Sequence, residues 1–493
     1  MTAYLKRLAS SLAAYQVADI VSKFMAVLLL PVYTRYINPA GYGVVELLGN
    51  GVILISILVR FGTIESFLRF YYSDDDQERR DALARRTVGF LLVSTTIVSI
   101  VLAVFAAPLS RLVLGYRDPA IFRIAVLGLW AFTNLEMAYA LLRVDERLRA
   151  YATATLTNVV LTIASSVVLV VVAGKGARGL LLGNYGASTV VLLALWWTMR
   201  DRLRPRPHAG VETHRVLFSF GLPTVPAEAS VYALSIVDRY YIFHHGATGP
   251  RLAGLYSIAV KLAGAVAFIV RAFQYAWPPL AYSVRDDAEA ARLYGLVTTY
   301  YLLVSGLVVA GLALLGRWVL RILAAPAFFD AYKALPWVAL GWALYGLWVV
   351  FLVIAGRAKV TTRNFPAALA GLIVNVVMIV LLVPALGIAG AGVALCGAYV
   401  VMIGVMHLLT RRAFAASFEW MRLIQLVVVL GGMSVAGELL LPTHGLVGFV
   451  SRVAVLAAMP LVLTATGFTH VEEREQARLL LARARRGIAR EPA

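Results

Sequence analysis

The chain has 493 residues, of which 61% are hydrophobic and only 14% are charged. Ordinary soluble domains carry roughly 25% charged residues, so this composition excludes an ordinary soluble protein. Lys and Arg outnumber Asp and Glu by 45 to 26, which gives a net charge of +19. In a membrane protein such an excess marks the cytoplasmic loops, so we do not expect nucleic-acid binding. The single cysteine, Cys396, excludes an intramolecular disulfide and a cysteine-rich metal site.

Long apolar segments predict an all-α polytopic membrane protein with about 14 transmembrane helices. A helix needs about 20 apolar residues to cross the hydrocarbon core, whereas a β-barrel would show shorter alternating segments. In chain order, the predicted spans cover residues 11–34, 44–68, 88–110, 120–142, 151–173, 179–199, 217–243, 253–280, 293–316, 334–356, 365–386, 388–410, 423–441 and 446–468.

The loop charges predict the orientation of these spans. Lys and Arg in short loops gather on one side, and such residues favour the cytoplasm, so we predict that both termini are cytoplasmic. The most basic loop, 200–208, joins spans six and seven and is typical of a linker between two halves.

The two halves contain a weak internal repeat. At a constant spacing of 211 residues, Gly43 matches Gly254 and Val59-Arg60 matches Val270-Arg271. Six spans per half make the repeats parallel, as in transporters whose substrate site lies between two lobes. The predicted organisation is an N-terminal lobe at 1–200, a basic linker at 201–216, a C-terminal lobe at 217–412, two added spans at 413–470 and a basic cytoplasmic tail at 471–493.

Charged residues occur inside the first two spans of each repeat. They include Asp19, Lys23, Arg60, Glu65, Glu228, Asp238, Lys261 and Arg271. A charge in hydrocarbon is unfavourable and usually faces a water-filled cavity, so this pattern predicts a polar lumen.

The cations of this set, Arg60, Arg271, Lys23 and Lys261, are predicted to bind an anionic substrate. Guanidinium groups match the geometry of phosphate oxygens especially well. The alternative is internal pairing, because Asp19 and Lys23 stand four residues apart, as do Glu65 and Arg69.

The carboxylates form a second hypothesis, in which Asp19, Glu228, Glu65 and Asp238 couple transport to H⁺ or Na⁺. Pro223 and Pro226 precede Glu228 and predict a break in span seven that frees backbone carbonyls beside it. The alternative is simple ion pairing with the cations of the lumen.

The segment Leu30-Pro-Val-Tyr-Thr-Arg-Tyr-Ile-Asn-Pro-Ala-Gly-Tyr-Gly43 resembles a signature of the polysaccharide transporter branch of the multidrug/oligosaccharidyl-lipid/polysaccharide (MOP) exporter superfamily. Near the corresponding place, the second half has Val237-Asp-Arg-Tyr-Tyr-Ile242, which departs from this signature. The resemblance implies a MATE-like fold with two six-helix lobes. The cations at Lys23, Arg60 and Arg271 are similar to the cationic cluster of the related lipid II flippases.

The same resemblance implies a Wzx-type flippase of the bacterial cytoplasmic membrane. Such a protein moves undecaprenyl-diphosphate-linked oligosaccharides to the outer leaflet by alternating access, for O-antigen or exopolysaccharide synthesis. Implied partners are the lipid-linked substrate, the bilayer, and the glycosyltransferases and polymerase of the same pathway.

Two other functions stay open. Asp19 resembles in position the cation-site carboxylate of the multidrug branch, so a cation-coupled multidrug exporter is the first alternative. The second is a prenyl-diphosphate enzyme with Mg²⁺ on Asp74-Asp75-Asp76 or Asp286-Asp287. The spacing of these acids matches no paired Asn-Asp-x-x-Asp signature, and His244-His245 has no further ligand at metal-binding spacing. We therefore expect no catalytic residues, no bound metal and no resident cofactor.

Overall fold

The computed structural model describes residues 25, 27–72, 76–203, 214–234 and 236–469, which form helices joined by short turns. In chain order, the α-helices are α1 (Leu30–Tyr36), α2 (Pro39–Val59), α3 (Thr63–Tyr71), α4 (Gln77–Val104), α5 (Ala106–Leu114), α6 (Pro119–Val144), α7 (Leu148–Val167), α8 (Gly176–Thr198), α9 (Arg200–Leu203), α10 (His214–Gly221), α11 (Thr224–Leu234), α12 (Val237–His244), α13 (Gly249–Ser283), α14 (Asp287–Leu323), α15 (Leu335–Arg357), α16 (Asn364–Leu386), α17 (Ile388–Thr410), α18 (Trp420–Leu426), α19 (Gly432–Leu440) and α20 (Gly445–Ala465). The π-helical turns Val168–Val172 and Val427–Gly431 extend α7 and join α18 to α19.

Twelve helices of the described residues are long and apolar enough to cross a membrane. They correspond to every predicted span except the first and the seventh. The first lies largely outside the described residues, and the seventh consists of the three short helices α10, α11 and α12. The predicted all-α multi-span fold is confirmed.

Local sequence explains where these helices begin. The Asn38 side chain accepts a hydrogen bond from the backbone N–H of Gly41 (2.7 Å), and Pro39 occupies the first helical position of α2. Asp118 caps α6 in the same way at 3.1 Å. A capping side chain followed by proline satisfies a free N–H group and fixes the first φ angle, so both starts are encoded locally.

The chain forms two compact units. The first contains residues 1–258 and 322–330, and the second contains 259–321 and 331–493. The helices of span seven pack within the first unit, with α10 against α3 and α11 against α2. The lobe boundaries given above stay a prediction.

Each unit has its own apolar core. In the first unit, fully buried residues of α3, α4, α6 and α8 meet, including Phe67, Leu91 and Leu192. In the second, one cluster surrounds Trp277 and Tyr294, and another joins α14 to α18, α19 and α20.

Candidate functional site

Span two is interrupted at its single arginine. The sequence predicts one continuous helix over 44–68, but α2 ends at Val59 and α3 begins at Thr63. Phe61 and Gly62 have φ angles of 50° and 67°, which L side chains rarely adopt. The predicted continuity is therefore wrong, and Arg60 lies at a break within the span.

A close helix crossing accompanies this break. A Cβ atom added to Gly62 would overlap the carbonyl group of Gly221 at the end of α10, and one added to Gly221 would overlap Gly62 in return. The Ser66 hydroxyl donates to the carbonyl of Leu217 at 2.6 Å and holds α10 against α3. The interruption in span two therefore lies directly against the segmented span seven.

Arg60 forms ion pairs across these two spans. Its guanidinium donates to the carboxylate of Glu228 on α11 and lies 3.5 Å from an oxygen of Glu65 on α3. The Arg60 side chain is 11% exposed, whereas those of Glu65 and Glu228 are 32% and 38% exposed. Among the described residues, the buried Nε of Arg60 has no hydrogen-bond partner. The Arg60 guanidinium therefore retains an unused Nε–H donor. Its main acceptor, the Glu228 carboxylate, is accessible enough for another anion to replace it.

Sequence reasoning missed Glu136, which lies in the middle of α6. It interacts electrostatically with Arg60, Glu228 and Arg143. A carboxylate within a 26-residue apolar helix is itself a functional signal, so the argument applied to the other intramembrane charges identifies Glu136 as well.

Glu136 also lines a polar cavity within the first unit. The cavity has a volume of about 360 Å³ and lies among α2, α6, α7 and α8. Its other polar lining residues are Glu46, Asn50, Tyr139, Asn158, Asn184, Tyr185 and Ser188. Such a lining can hold water, hydroxyl groups or a cation inside the membrane-spanning part of the unit.

The other predicted site residues belong to another helix of the first unit, to the second unit, or to the part of the chain outside the described residues. Asp238 is buried at the start of α12, where it accepts from the Tyr256 hydroxyl and, at 2.7 Å, from the backbone N–H of Arg239. Lys261 and Arg271 lie on the part of α13 that belongs to the second unit. Asp19 and Lys23 are outside the described residues. The structure thus brings together Arg60, Glu65 and Glu228 of the predicted set.

The acidic loops have structural roles at the residues that are described. Asp76 caps α4 by accepting from Glu78 N at 3.0 Å, and Asp286 caps α14 by accepting from Glu289 N at 2.8 Å. Asp287 pairs with Arg357 at 2.7 Å. Asp74 and Asp75 lie outside the described residues. Within the described chain, no three His, Cys, Asp or Glu residues are grouped so that they could hold a metal ion.

Residues 8–282 match the model of a family described as polysaccharide biosynthesis protein, and the chain belongs to this family. Among solved structures, the fold is similar to that of the lipid II flippase MurJ in an inward closed conformation. That likeness has a TM-score of 0.71 and 12% identity, covering 93% of this chain and 98% of the flippase. No curated protein sequence matches the chain.

The fold is also similar to multidrug transporters of the MOP superfamily. An inward-facing MATE family transporter matches with a TM-score of 0.61 and 14% identity, over 80% of this chain and 98% of the transporter. The MATE transporter VcmN of Vibrio cholerae matches with a TM-score of 0.52 and 11% identity, over 82% and 93%. These likenesses show the MOP fold, and the resemblance noted in the sequence is confirmed.

Proposed function

We propose that this member of the polysaccharide biosynthesis protein family is a flippase of the bacterial cytoplasmic membrane, with both termini in the cytoplasm. Its substrate would be an oligosaccharide linked to undecaprenyl diphosphate, moved to the outer leaflet by alternating access. The observation that carries the proposal is Arg60, a largely buried guanidinium at a break in span two that is paired with two partly exposed carboxylates. Family membership and the likeness to a lipid II flippase support it.

The energetics explain why a sugar head group needs such a protein. Moving one unpaired hydroxyl into hydrocarbon costs about 4–8 kcal/mol, so a head group of several sugars cannot cross unassisted. The membrane potential favours outward movement of an anion by about 2.3 kcal/mol per charge per 100 mV. It supplies a driving force, while the protein supplies a polar path.

Arg60 would bind the diphosphate by exchanging Glu228 for phosphate oxygens. The Glu228 carboxylate and a diphosphate both accept charge-assisted hydrogen bonds from the guanidinium. The diphosphate has more oxygens and more negative charge. Glu228 lies on α11, a segment of 11 residues, so it can move with a short helix. We propose Lys23, Lys261 and Arg271 as further phosphate donors.

We propose Glu228 as the residue that couples transport to H⁺ or Na⁺, because phosphate binding would release its carboxylate from Arg60. A released carboxylate inside the membrane is an anionic site for either ion. The coupling residue in this scheme is Glu228, with Glu65 and Glu136 as neighbouring carboxylates; Asp19 and Asp238 stay candidates from the sequence. Varying the Na⁺ concentration at constant pH, and the pH at constant Na⁺ concentration, tests which ion is used.

The experiment is leaflet exposure of a fluorescent undecaprenyl-diphosphate oligosaccharide in proteoliposomes. We expect the native chain to accelerate exposure and Arg60→Ala to abolish the acceleration. Arg251→Ala is the matched control, because Arg251 is an exposed arginine of the same unit. Its ion pair with Asp330 is long, at 3.9 Å. Full activity of Arg60→Ala would remove this residue from the site.

A cation-coupled multidrug exporter is the second candidate, favoured by the carboxylates Glu46 and Glu136 in the polar cavity of the first unit. It predicts ion-dependent efflux of an organic cation that is lost in Glu136→Gln and kept in Arg60→Ala. The flippase predicts the reverse dependence on Arg60. Genes for glycosyltransferases and a polymerase beside this one would support the pathway partners of the flippase.

A further inference from the structure

The second unit has an apolar groove on its surface, between α14, α15 and the span formed by α18 and α19. The groove has a volume of about 430 Å³, and its walls include Leu302, Val309, Leu340, Leu426 and Leu430. These helices are all long and apolar enough to cross a membrane, so the groove lies within the membrane-spanning part of the unit.

A π-helical turn forms part of the groove wall. Val427, Leu430 and Gly431 of the turn Val427–Gly431 all line it. No neighbouring atom lies within 4 Å of the position of a Cβ on Gly431, so space is left at this point. Val427 and Val435 are 71% and 59% exposed, which makes the groove accessible from outside the protein. Turns of this kind occur frequently at functional sites.

One end of the groove carries an excess of positive charge. Glu438 lines this end and pairs with both Arg317 and Arg452. Arg452 is fully buried and also donates to the carbonyls of Leu314 and Pro442 at 3.1 and 3.2 Å. One carboxylate therefore faces two arginines.

Arg317 is the accessible cation of this pair of arginines. Its side chain is 23% exposed, and its guanidinium lies 3.9 Å from the ring centre of Tyr332. Within the described chain, its buried Nε has no hydrogen-bond partner. Lys333, which also lines the groove, adds a further positive charge. The surplus charge and the spare donor are complementary to an anion.

The dimensions of the groove match one lipid chain. The charged end is near the ends of α14 and α19 and the start of α15, and it also has Trp337 and Tyr332, residues that favour membrane interfaces. From Glu438 to Leu423, at the opposite end, the helix advances about 22 Å at 1.5 Å per residue. This length is within the roughly 30 Å of a hydrocarbon core, so the groove begins at one interface and ends inside the bilayer.

We propose that this groove binds one anionic phospholipid, with its phosphate at Arg317 and Lys333 and an acyl chain along the apolar walls. In the predicted orientation the charged end faces outside, so the lipid comes from the outer leaflet. An undecaprenyl chain extends well beyond a groove of this length, whereas one acyl chain fills it. The bound lipid joins the span of α18 and α19 to α14 and α15 and stabilises the second unit.

The test uses the full chain purified in detergent, with native mass spectrometry and thermal unfolding after addition of phosphatidylglycerol or phosphatidylcholine. Gly431→Leu places a side chain in the groove, where there is open space. Gly432→Leu is the matched control, because the adjacent glycine also has open space but does not line the groove. Arg317→Gln tests the head-group contact.

We expect the native chain and Gly432→Leu to retain phosphatidylglycerol in preference to phosphatidylcholine and to unfold at a higher temperature with it. Gly431→Leu and Arg317→Gln should weaken its retention about tenfold, as expected when one favourable contact to a charged group is lost. Equal retention of the two lipids, or equal behaviour of the two glycine variants, overturns the proposal. Retention of undecaprenyl diphosphate with no effect of phosphatidylglycerol would assign the groove to the transport substrate instead.

Discussion

Replacing Glu228 by glutamine tests the exchange at Arg60 most sharply. The carboxylate competes with a phosphate for the guanidinium, so Glu228→Gln should strengthen the binding of a diphosphate. The neutral amide keeps the size of the side chain and leaves the geometry of α11 unchanged. The variant thus removes the competing charge while preserving the fold.

The expected size follows from the exposure of the two partners. Arg60 is 11% exposed and Glu228 is 38% exposed, so their pair lies between a surface pair and a buried one. Surface pairs contribute about 0.2–1 kcal/mol, whereas breaking a buried pair costs about 3–5 kcal/mol. We take about 1–2 kcal/mol for this half-accessible pair, which corresponds to about tenfold tighter binding of the diphosphate.

The assay is binding of undecaprenyl diphosphate to the purified chain, measured by thermal shift or calorimetry at one fixed pH. Glu228→Gln should bind the diphosphate more tightly than the native chain, because no carboxylate then competes for the Arg60 guanidinium. Unchanged or weaker binding in Glu228→Gln would refute the exchange.

Two stability predictions follow from the helix crossing and from the buried carboxylate. Gly62→Ala should destabilise the chain by about 1–3 kcal/mol, because φ is +67° and a Cβ overlaps Gly221; Gly89→Ala, in open space within α4, should be neutral or stabilising. Thermal unfolding in detergent compares the two, and equal effects would contradict the crossing. Tyr256→Phe should cost about 1–3 kcal/mol because the buried Asp238 loses its hydroxyl donor, and a native-like unfolding temperature would exclude that role.

The span pattern could be predicted from the sequence because it depends on the hydropathy of about 20 consecutive residues and on no tertiary contact. Twelve of the predicted spans correspond to helices of membrane-spanning length among the described residues. The break between α10 and α11 in span seven was also predicted, since Pro223 lies between the two helices and Pro226 lies in the first turn of α11.

The interruption of span two could not be predicted from hydropathy or from a proline. Gly62 is one of several glycines in the apolar segments, and its left-handed conformation accompanies the approach of Gly221, which is 159 residues away in the sequence. Pairing of Glu65 with Arg69 was the alternative offered by the sequence. Both residues lie on α3, but the structure places a Glu65 oxygen 3.5 Å from Arg60, on the other side of the break.

The partners of Arg60 illustrate what spacing within one helix can show. Arg60 has no acid four residues away in its own span. Its partner Glu228 comes from another span, so only the tertiary structure reveals the pair. Glu136 is different, because its position within α6 was visible in the sequence. The predicted set contained charges of the first two spans of each repeat, whereas Glu136 lies in span four.

In the proposed mechanism, Arg60 at the break in span two binds the diphosphate of a lipid-linked oligosaccharide during flipping. Leaflet exposure of the fluorescent lipid in proteoliposomes tests this role, with the native chain, Arg60→Ala and the control Arg251→Ala measured side by side. We predict rapid exposure with the native chain and the control, and none above empty liposomes with Arg60→Ala. Exposure at the native rate by Arg60→Ala would contradict this role of Arg60.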